Sequence, residues 1–308
     1  MFDLSVIIVN YNTEEYILNC INSIGKNTDI NNIEIIIIDN ISGNGTFEDK
    51  LKFYKDVKYY NLNSNKGFGY ACNRGVEKAT GKVLLFLNPD IIVTKGAIDK
   101  LFKFITDKDN IGFVTGVLTD EDGNLQYFYN SFPGIKWEMK EALGISVAST
   151  INELNSINEI KDKVPFCIDW AHGACLMINS KVFNMTNAFD ENIFLYYEDV
   201  DIQRQVADLG YKNYCYPDSS FIHFERSSVR SEEGIKTYYF YMHSSKIYYM
   251  RKYDSFIKRI VVRLLYLLGF NTKIIMLPFR KKYKYKRRLM LSVYFLCIAV
   301  YLNIKRKK

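Results

Sequence analysis

Asn88 and Asp90 stand two residues apart, directly after the apolar run Leu84-Leu85-Phe86-Leu87 and on either side of Pro89. An apolar run without helical period that breaks off in an amide, a proline and a carboxylate reads as a buried strand delivering two oxygens at its tip. In an open α/β sheet, ligands collect at the carboxyl ends of strands. A spacing of two lets both side chains point the same way, and Pro89 stiffens the backbone between them. Oxygen ligands suit a hard cation such as Mg2+ or Mn2+. Taken alone, Asn-Pro-Asp is more simply a turn after a strand, so this chemistry needs support from the rest of the chain.

A second polar knot is Phe194-Leu195-Tyr196-Tyr197-Glu198-Asp199-Val200-Asp201, which opens a short helix. Capping and the helix dipole account for one acid there, but not for three that follow a strongly aromatic approach. His223 lies in a strand-like segment; a lone histidine among apolar neighbours is more often a satisfied core residue than a ligand. Trp170 and His172 offer flat rings on which the apolar side of a sugar could rest, with a core role for Trp170 equally open. The segment Asn65-Lys66-Gly67-Phe68-Gly69-Tyr70-Ala71-Cys72-Asn73-Arg74-Gly75 opens another helix. Its glycines permit close approach of backbone to a ligand and its N-terminal amides favour an anion, though an ordinary helix entry has the same composition. No serine nucleophile motif, zinc-type His/Cys cluster or Walker loop occurs, which leaves acyl transfer, zinc hydrolysis and ATP turnover without candidate residues.

The elements that must hold these residues follow from the apolar pattern. Residues 4–9 form a first strand and end at Asn10-Tyr11-Asn12. A helix follows with Ile17, Cys20, Ile21 and Ile24 at i, i+3, i+4, i+7, and an isoleucine-rich strand at 33–38 ends at Asp39-Asn40. Further strands are predicted at 57–61, 111–118, 211–216 and 220–224, and a helix with Ile98, Leu101, Phe102 and Ile105 on one face. The β-α-β order with near-continuous apolar strands predicts an α/β fold with a parallel sheet covered on both faces. Residues 145–163, rich in Ser, Asn and charge, read as a variable loop or lid over the site.

With 308 residues and 48% hydrophobic composition, the chain can bury a large core. Its net charge of +7 is unevenly spread: from Arg251 to Lys308 there are 17 Lys and Arg against Asp254 alone, a net +16, which leaves −9 on residues 1–250. An acidic body excludes nucleic-acid binding by the globular part, because phosphate contacts would need positive charge there. Cys20, Cys72, Cys167, Cys175, Cys215 and Cys297 show no CxxC spacing and read as small hydrophobes in a reducing compartment. Asp3 stands where a signal peptide would carry a basic residue, so the start of the chain is expected to be a strand.

In order, Ser5-Val6-Ile7-Ile8-Val9-Asn10-Tyr11-Asn12, Ile38-Asp39-Asn40, Asn65-Lys66-Gly67-Phe68-Gly69 with Asn73, Leu87-Asn88-Pro89-Asp90, Gly173-Ala174-Cys175-Leu176-Met177, Tyr197-Glu198-Asp199-Val200-Asp201 and His223 resemble glycosyltransferase family 2. The Asn-Pro-Asp and Tyr-Glu-Asp-Val-Asp pieces look most like its bacterial rhamnosyltransferase branch. The resemblance covers roughly residues 4–255, and its specificity lies in the ordered set. It implies a GT-A fold, a Rossmann-like, mostly parallel mixed sheet flanked by helices, and an inverting transfer from a nucleotide-diphosphate sugar aided by Mg2+ or Mn2+. It further implies that Asp39 meets the base, that Asn10 and Tyr11 line the nucleotide pocket, and that Lys66 and Asn73 lie near the ribose or diphosphate. Asn88 and Asp90 occupy the Asp-x-Asp site of the family, with the first acid replaced by an amide, and His223 stands where a compensating metal ligand is expected. Asp199 matches the catalytic base, Glu198 and Asp201 match acceptor-side or structural acids, and Asp169 is the alternative base.

The expected division is a catalytic domain over 1–230, with a nucleotide-sugar half at 1–120 and an acceptor half at 121–230, followed by a helical, basic extension over 231–308. Residues 289–304 fall short of the roughly 20 residues of a membrane span, and basic flanks favour a helix lying on an anionic leaflet. An oligomerisation arm is the alternative. The expected enzyme is cytoplasmic and peripherally membrane-associated, transferring a sugar such as L-rhamnose from a deoxythymidine diphosphate donor to a glycan or lipid-linked acceptor. A UDP-hexose donor, or a binding module without turnover, are the competing readings.

Overall fold

The structure, a computed structural model, describes residues 2–41, 45–144, 158–224 and 231–303. These fall into two compact units. The loop expected at 145–163 lies for the most part outside the described residues.

The first unit is built on one nine-stranded sheet. Strands β1 (Leu4–Asn10), β2 (Ile33–Asp39), β3 (Val57–Asn61) and β4 (Val83–Leu87) lie parallel in the order β3-β2-β1-β4. Alternate residues go to opposite faces: Val6, Ile8, Ile35, Ile37 and Leu85 join one core, while Ile7, Val9, Ile36, Ile38 and Phe86 join the other. Apolar layers on both faces explain why these strands read as unbroken isoleucine, valine and leucine runs. Helix α1 (Glu14–Asn27) buries Ile17, Cys20, Ile21 and Ile24 as their spacing predicts, with Glu14 and Glu15 in its first turn and Lys26 in its last. Helices α2 (Gly45–Leu51), α3 (Phe68–Val76) and α4 (Ala97–Thr106) complete this half. In α4 the buried aromatic residue is Phe104, with Phe102 only partly covered.

Beyond β4 the sheet reverses. After β5 (Ile91–Val93), β6 (Ile111–Thr119), β7 (Tyr129–Asn130), β8 (Phe166–Ile168) and β9 (Trp170–Ala171) comes β10 (Cys175–Asn179), inserted antiparallel between β4 and β6. Because β10 runs backwards, its first residue Cys175 pairs with Leu87, the last residue of β4. That single reversal carries Gly173 and Ala174 to the tip of β4. The two strands predicted at 211–216 and 220–224 are one strand, β11 (Lys212–His223), whose register against β6 shifts between Cys215 and Ser220. Pro217 falls within this irregularity, where a residue without an N–H is tolerated in a sheet. The end of β11 pairs antiparallel with β5, so that His223 faces Ile91.

The second unit holds α5 (Ile135–Leu143), residues 195–197 and, after α6 (Asn158–Lys161), α7 (Ser180–Phe183) and α8 (Glu198–Asp208) of the first unit, the helices α9 (Glu232–Tyr253), α10 (Phe256–Met276) and α11 (Arg287–Tyr301). The boundary expected at residue 230 is therefore not the observed partition, because α5 and 195–197 join the C-terminal helices. Gly269 makes the crossing of α10 and α5 possible: a Cβ there would lie 2.2 Å from the Ala142 carbonyl oxygen. At the centre of this unit the fully buried Lys246 donates to Glu138 Oε2 at 2.8 Å and to Glu141 Oε2 at 2.5 Å, and Tyr266 donates to Glu138 Oε2 at 2.7 Å. Desolvation works against the Lys246 ammonium, yet the two glutamates outweigh it and hold the lysine charged. The segment Phe256–Phe279 is long and apolar enough to cross a membrane, with mean hydropathy 1.7 and 28% of its most apolar window buried.

Candidate active site

The carboxyl ends of β1 and β2 form one end of the site. Asn10 and Asp39 are register partners, both buried, and Asn10 Nδ2 donates to Asp39 Oδ2 at 3.1 Å. Tyr59 donates its hydroxyl to the same Asp39 oxygen at 2.5 Å. Asn10 Oδ1 also accepts from the Thr13 N–H, so this asparagine ties the start of α1 to the strand tip. Tyr11 stands beside them, about half exposed at 52%. Next to Asp39, Asn40 donates to Asn65 Oδ1 at 2.8 Å and to the Gly67 carbonyl at 3.3 Å, which anchors the glycine-rich turn.

That turn is shaped by the protein itself. Gly67 has φ 105°, and a Cβ there would lie 2.3 Å from the Phe194 carbonyl oxygen, which accepts from the Phe68 N–H at 3.0 Å. The backbone brought close by this glycine is that of residue 194, not a ligand. Lys66 is exposed, its ammonium 4.8 Å from the centre of the Tyr70 ring. Asn73, expected near the ribose or diphosphate, is buried and spends its amide elsewhere. It donates to the Phe189 carbonyl at 2.9 Å and to Glu191 at 3.1 Å, and accepts from the Phe189 N–H at 3.0 Å. Its work is to pin the chain at 189–191, which corrects the sequence reading.

At the tip of β4, the Asn88 N–H donates to the Ala174 carbonyl at 2.9 Å, and Asp90 Oδ1 lies 3.5 Å from His223 Nε2. The proton on His223 can be located by its partner. Gln126 Nε2 donates to the His223 carbonyl at 2.8 Å, which fixes the amide so that Gln126 Oε1 faces His223 Nδ1 at 3.0 Å. Nδ1 therefore carries a hydrogen, and Nε2 is the ring nitrogen left to offer a lone pair to an ion beside Asp90. Two electron-pair donors facing one another fit a cation between them. Among the described residues no three His, Cys, Asp or Glu side chains converge. Asp90 and His223 could thus hold a hard divalent ion between them.

The start of α8 supplies the other candidate carboxylate. Asp199 Oδ2 accepts from the Gly173 N–H at 2.9 Å and Oδ1 from the Val200 N–H at 2.9 Å. Burial pushes its carboxyl up to about 6, and these two N–H groups only partly offset the rise. Since Ala174 bonds Asn88 and the adjacent Gly173 bonds Asp199, two successive residues before β10 connect the β4 tip to the head of α8. The neighbouring acids are less accessible. Glu198 is 5% exposed, its Oε2 has no hydrogen-bond partner, and burial followed by the Asp199 charge raises it well above the ordinary range. Asp201 is fully buried and accepts from Gln205 Nε2 at 2.7 Å. Of the acceptor-side and structural roles that the resemblance leaves open for both, burial favours the structural one, with Asp201 bonded within α8 and Glu198 packed beside Gly69 of α3.

Trp170 and His172 stack on each other with ring centres 5.5 Å apart and planes 17° apart. Trp170 Nε1 donates to the Ser131 carbonyl at 2.9 Å, and burial, then the nearby His223, lowers His172 to about 4, so this imidazole is neutral at pH 7. Asp169, the alternative base, accepts from the Phe132 N–H at 2.8 Å. Sequence reasoning missed Gln126 and also Gln203, which binds both backbone groups of Ala171 at 2.9 and 2.7 Å and so fixes α8 to β9. No composition or spacing signal marks either glutamine.

The model of glycosyl transferase family 2 matches residues 5–183, more than half of the chain. The chain belongs to glycosyltransferase family 2. Within this family it is similar to N-acetylglucosaminyl-diphospho-decaprenol L-rhamnosyltransferase of Mycobacterium tuberculosis, 23% identical over 209 residues that cover 64% of this chain and 68% of that protein. It is also similar to the rhamnosyltransferase WbbL of Escherichia coli K12, 25% identical over 241 residues, covering 73% of this chain and 85% of that one. These relatives support the rhamnosyltransferase-like branch of family 2. Among solved structures, the mannosyltransferase PcManGT of Pyrobaculum calidifontis in complex with GDP-Man and Mn2+ is similar with TM-score 0.62 and 12% identity, covering 97% of this chain and 86% of that one. GalNAc-T7 with UDP, GalNAc and Mn2+ is similar with TM-score 0.57 and 19% identity; 79% of this chain is covered and 49% of that one, so this chain spans about half of it. The fold is of the GT-A type, as the family resemblance implies, and the protein is a glycosyltransferase.

Proposed function

We propose that this family 2 glycosyltransferase performs an inverting, metal-assisted transfer of L-rhamnose from a deoxythymidine diphosphate donor to a lipid-linked surface glycan at the inner face of the membrane. The observation that carries the reading is the paired backbone link, Ala174 to Asn88 and Gly173 to Asp199, at 2.9 Å each. It ties a donor-side strand tip to a carboxylate that acts from the other side of the reacting sugar.

Inversion requires the acceptor hydroxyl to attack the anomeric carbon opposite the departing diphosphate. Asp199 takes the proton as the new bond forms. A carboxyl at about 6 is ionised at pH 7 and still more basic than an ordinary aspartate, the compromise general-base catalysis favours. The Gly173 and Val200 N–H groups hold its two oxygens in a fixed direction. Burial disfavours the charged form of Glu198 and so limits a second negative charge beside the base. Asn10 and Asp39 line the nucleotide end, with Tyr11 exposed beside them and Lys66 available to the diphosphate. Trp170 and His172 form the platform for the acceptor. A divalent cation bound by Asp90, His223 and Asn88 would offset the charge of the departing diphosphate as a Lewis acid.

Rhamnose as the transferred sugar is supported by the similarity to rhamnosyltransferases, and the lipid-linked acceptor by the diphospho-decaprenol in the name of the mycobacterial relative. The test is a panel of nucleotide sugars with Mn2+ and membrane extract, read as release of nucleoside diphosphate. Release from deoxythymidine diphosphate rhamnose supports the proposal; release only from a UDP-hexose replaces the donor, and no release from any donor rejects transfer.

A further inference from the structure

The second unit carries a cavity of about 190 Å3 between the last turns of α9 and the first turns of α10. Its apolar wall is formed by Ile247, Met250, Phe256 and Ile260, and its rim by Arg251, Arg259 and Arg263. Arg251 donates to Asn303 at 3.1 Å, and Arg259 lies 5.7 Å from the centre of the Phe256 ring. Among the described residues none of the three guanidinium groups forms an ion pair, and Asp254, the one acid in this part of the sequence, is bound to Lys258 at 2.6 Å. Three cations around one small cleft repel one another until an anion enters, and the planar guanidinium fork matches phosphate oxygens in pairs.

The apolar wall continues outward along α10. Ile257, Leu264, Leu268 and Ile275 are 74%, 55%, 65% and 69% exposed and recur on one side of the helix. On α5 of the same unit, Ile135, Met139 and Leu143 are exposed at i, i+4, i+8. Contiguous apolar stripes of this kind mark a binding surface. The opposite face of α10 is committed: Val262, Tyr266, Gly269 and Phe270 are buried, and Tyr266 bonds the Lys246 and Glu138 cluster. A helix tied to buried charges on one side and apolar on the other lies in a membrane interface and does not cross it alone. The basic sequence from Arg280 to Arg288 gives this surface a single sign of charge, the complement of an anionic leaflet.

We infer that the cleft of Arg251, Arg259 and Arg263 binds the phosphate or diphosphate head of a membrane lipid, with the exposed stripe of α10 entering the acyl layer. This deepens the membrane part of the proposed function and rests on it; sugar transfer is not needed for the test.

The full chain is sedimented with phosphatidylcholine vesicles containing phosphatidic acid, whose phosphate is uncapped, or phosphatidylserine, adjusted to equal surface charge. Two triple variants are compared, R251Q/R259Q/R263Q in the cleft and K281Q/K284Q/K286Q outside it, which remove the same charge. Unchanged helical circular dichroism reports that both are folded. The wild type and the lysine variant are expected to prefer phosphatidic acid by about tenfold, and the arginine variant to bind both vesicles alike. Equal preference in the two variants would overturn the site. Displacement of the protein from vesicles by inorganic phosphate at concentrations equal to the lipid phosphate would overturn the entry of the α10 stripe into the acyl layer, since the head alone would then suffice. Binding is read without donor sugar, so a failed transfer assay and a failed vesicle assay remain separate results.

Discussion

Glu34 and Glu198 are both buried carboxyl groups of the first unit, at opposite ends of the parallel strands, and they are treated in opposite ways. Glu34, at the start of β2, accepts from Ser5 Oγ at 2.7 Å, Thr80 N at 2.6 Å, Thr80 Oγ1 at 2.8 Å and Lys58 Nζ at 2.7 Å. Burial works against its charge, but Lys58 and the other donors outweigh it and hold the carboxyl below its usual range. At the other end Glu198 has an unpartnered oxygen, Asp199 is raised to about 6, and Asp90 faces His223 Nε2 at 3.5 Å. One end of the sheet is saturated with hydrogen bonds and serves stability. The other is held short of donors and keeps its capacity for ligands.

If that contrast is right, substitutions at the two ends should divide cleanly between activity and stability. The largest effect is expected for Asp199→Asn, which keeps an oxygen for the Gly173 N–H but removes the base: kcat should fall by about 10²–10⁴-fold with donor affinity retained. Stopped-time turnover together with a donor titration measures both. Glu34→Ala should do the reverse, costing about 3 kcal/mol in denaturant unfolding by stranding Lys58 and Thr80, while turnover per folded molecule stays the same. The sign of the pH effect follows from the lowered carboxyl: the Glu34 contribution is fully present above the unfolded value of about 4.5 and fades as pH falls through the folded one.

Gln126→Leu sharpens the reading of the strand tip. Without the amide, the His223 tautomer is no longer fixed, and affinity for Mn2+ should weaken by about 10–100-fold in a metal titration of turnover. The pH profile of kcat/KM should fall about tenfold per unit below about pH 6, where Asp199 takes up its proton. The smallest effect is expected for Glu198→Gln. Burial already disfavours its charge, so this neutral isostere should change turnover at pH 7 little; a large loss would show that Glu198 works as an anion.

Much of the fold could be read from apolar period. The parallel half, with β1, α1 and β2 in place, follows from strands apolar on both faces and from the spacing of Ile17, Cys20, Ile21 and Ile24. Strand direction could not be read, because an apolar run such as Cys175-Leu176-Met177-Ile178 looks the same in either sense, and it is the reversal of β10 that builds the site. Residue types at a strand end pointed to Asn88 and Asp90, the acids that open a helix to Asp199, and the order of the family's motifs to His223. The same types misled at Asn73, whose polar groups are consumed by neighbours that only the folded chain brings close. Gln126, Gln203 and the membership of α5 in the second unit depend on distant contacts and left no local pattern.

A structure with Mn2+ and an intact nucleotide sugar tests the central claim most directly. The account predicts the ion bound between Asp90 and His223, with the Asp199 carboxylate facing the anomeric carbon on the side away from the diphosphate. An ion held elsewhere, or an Asp199 turned away from the sugar, would contradict it.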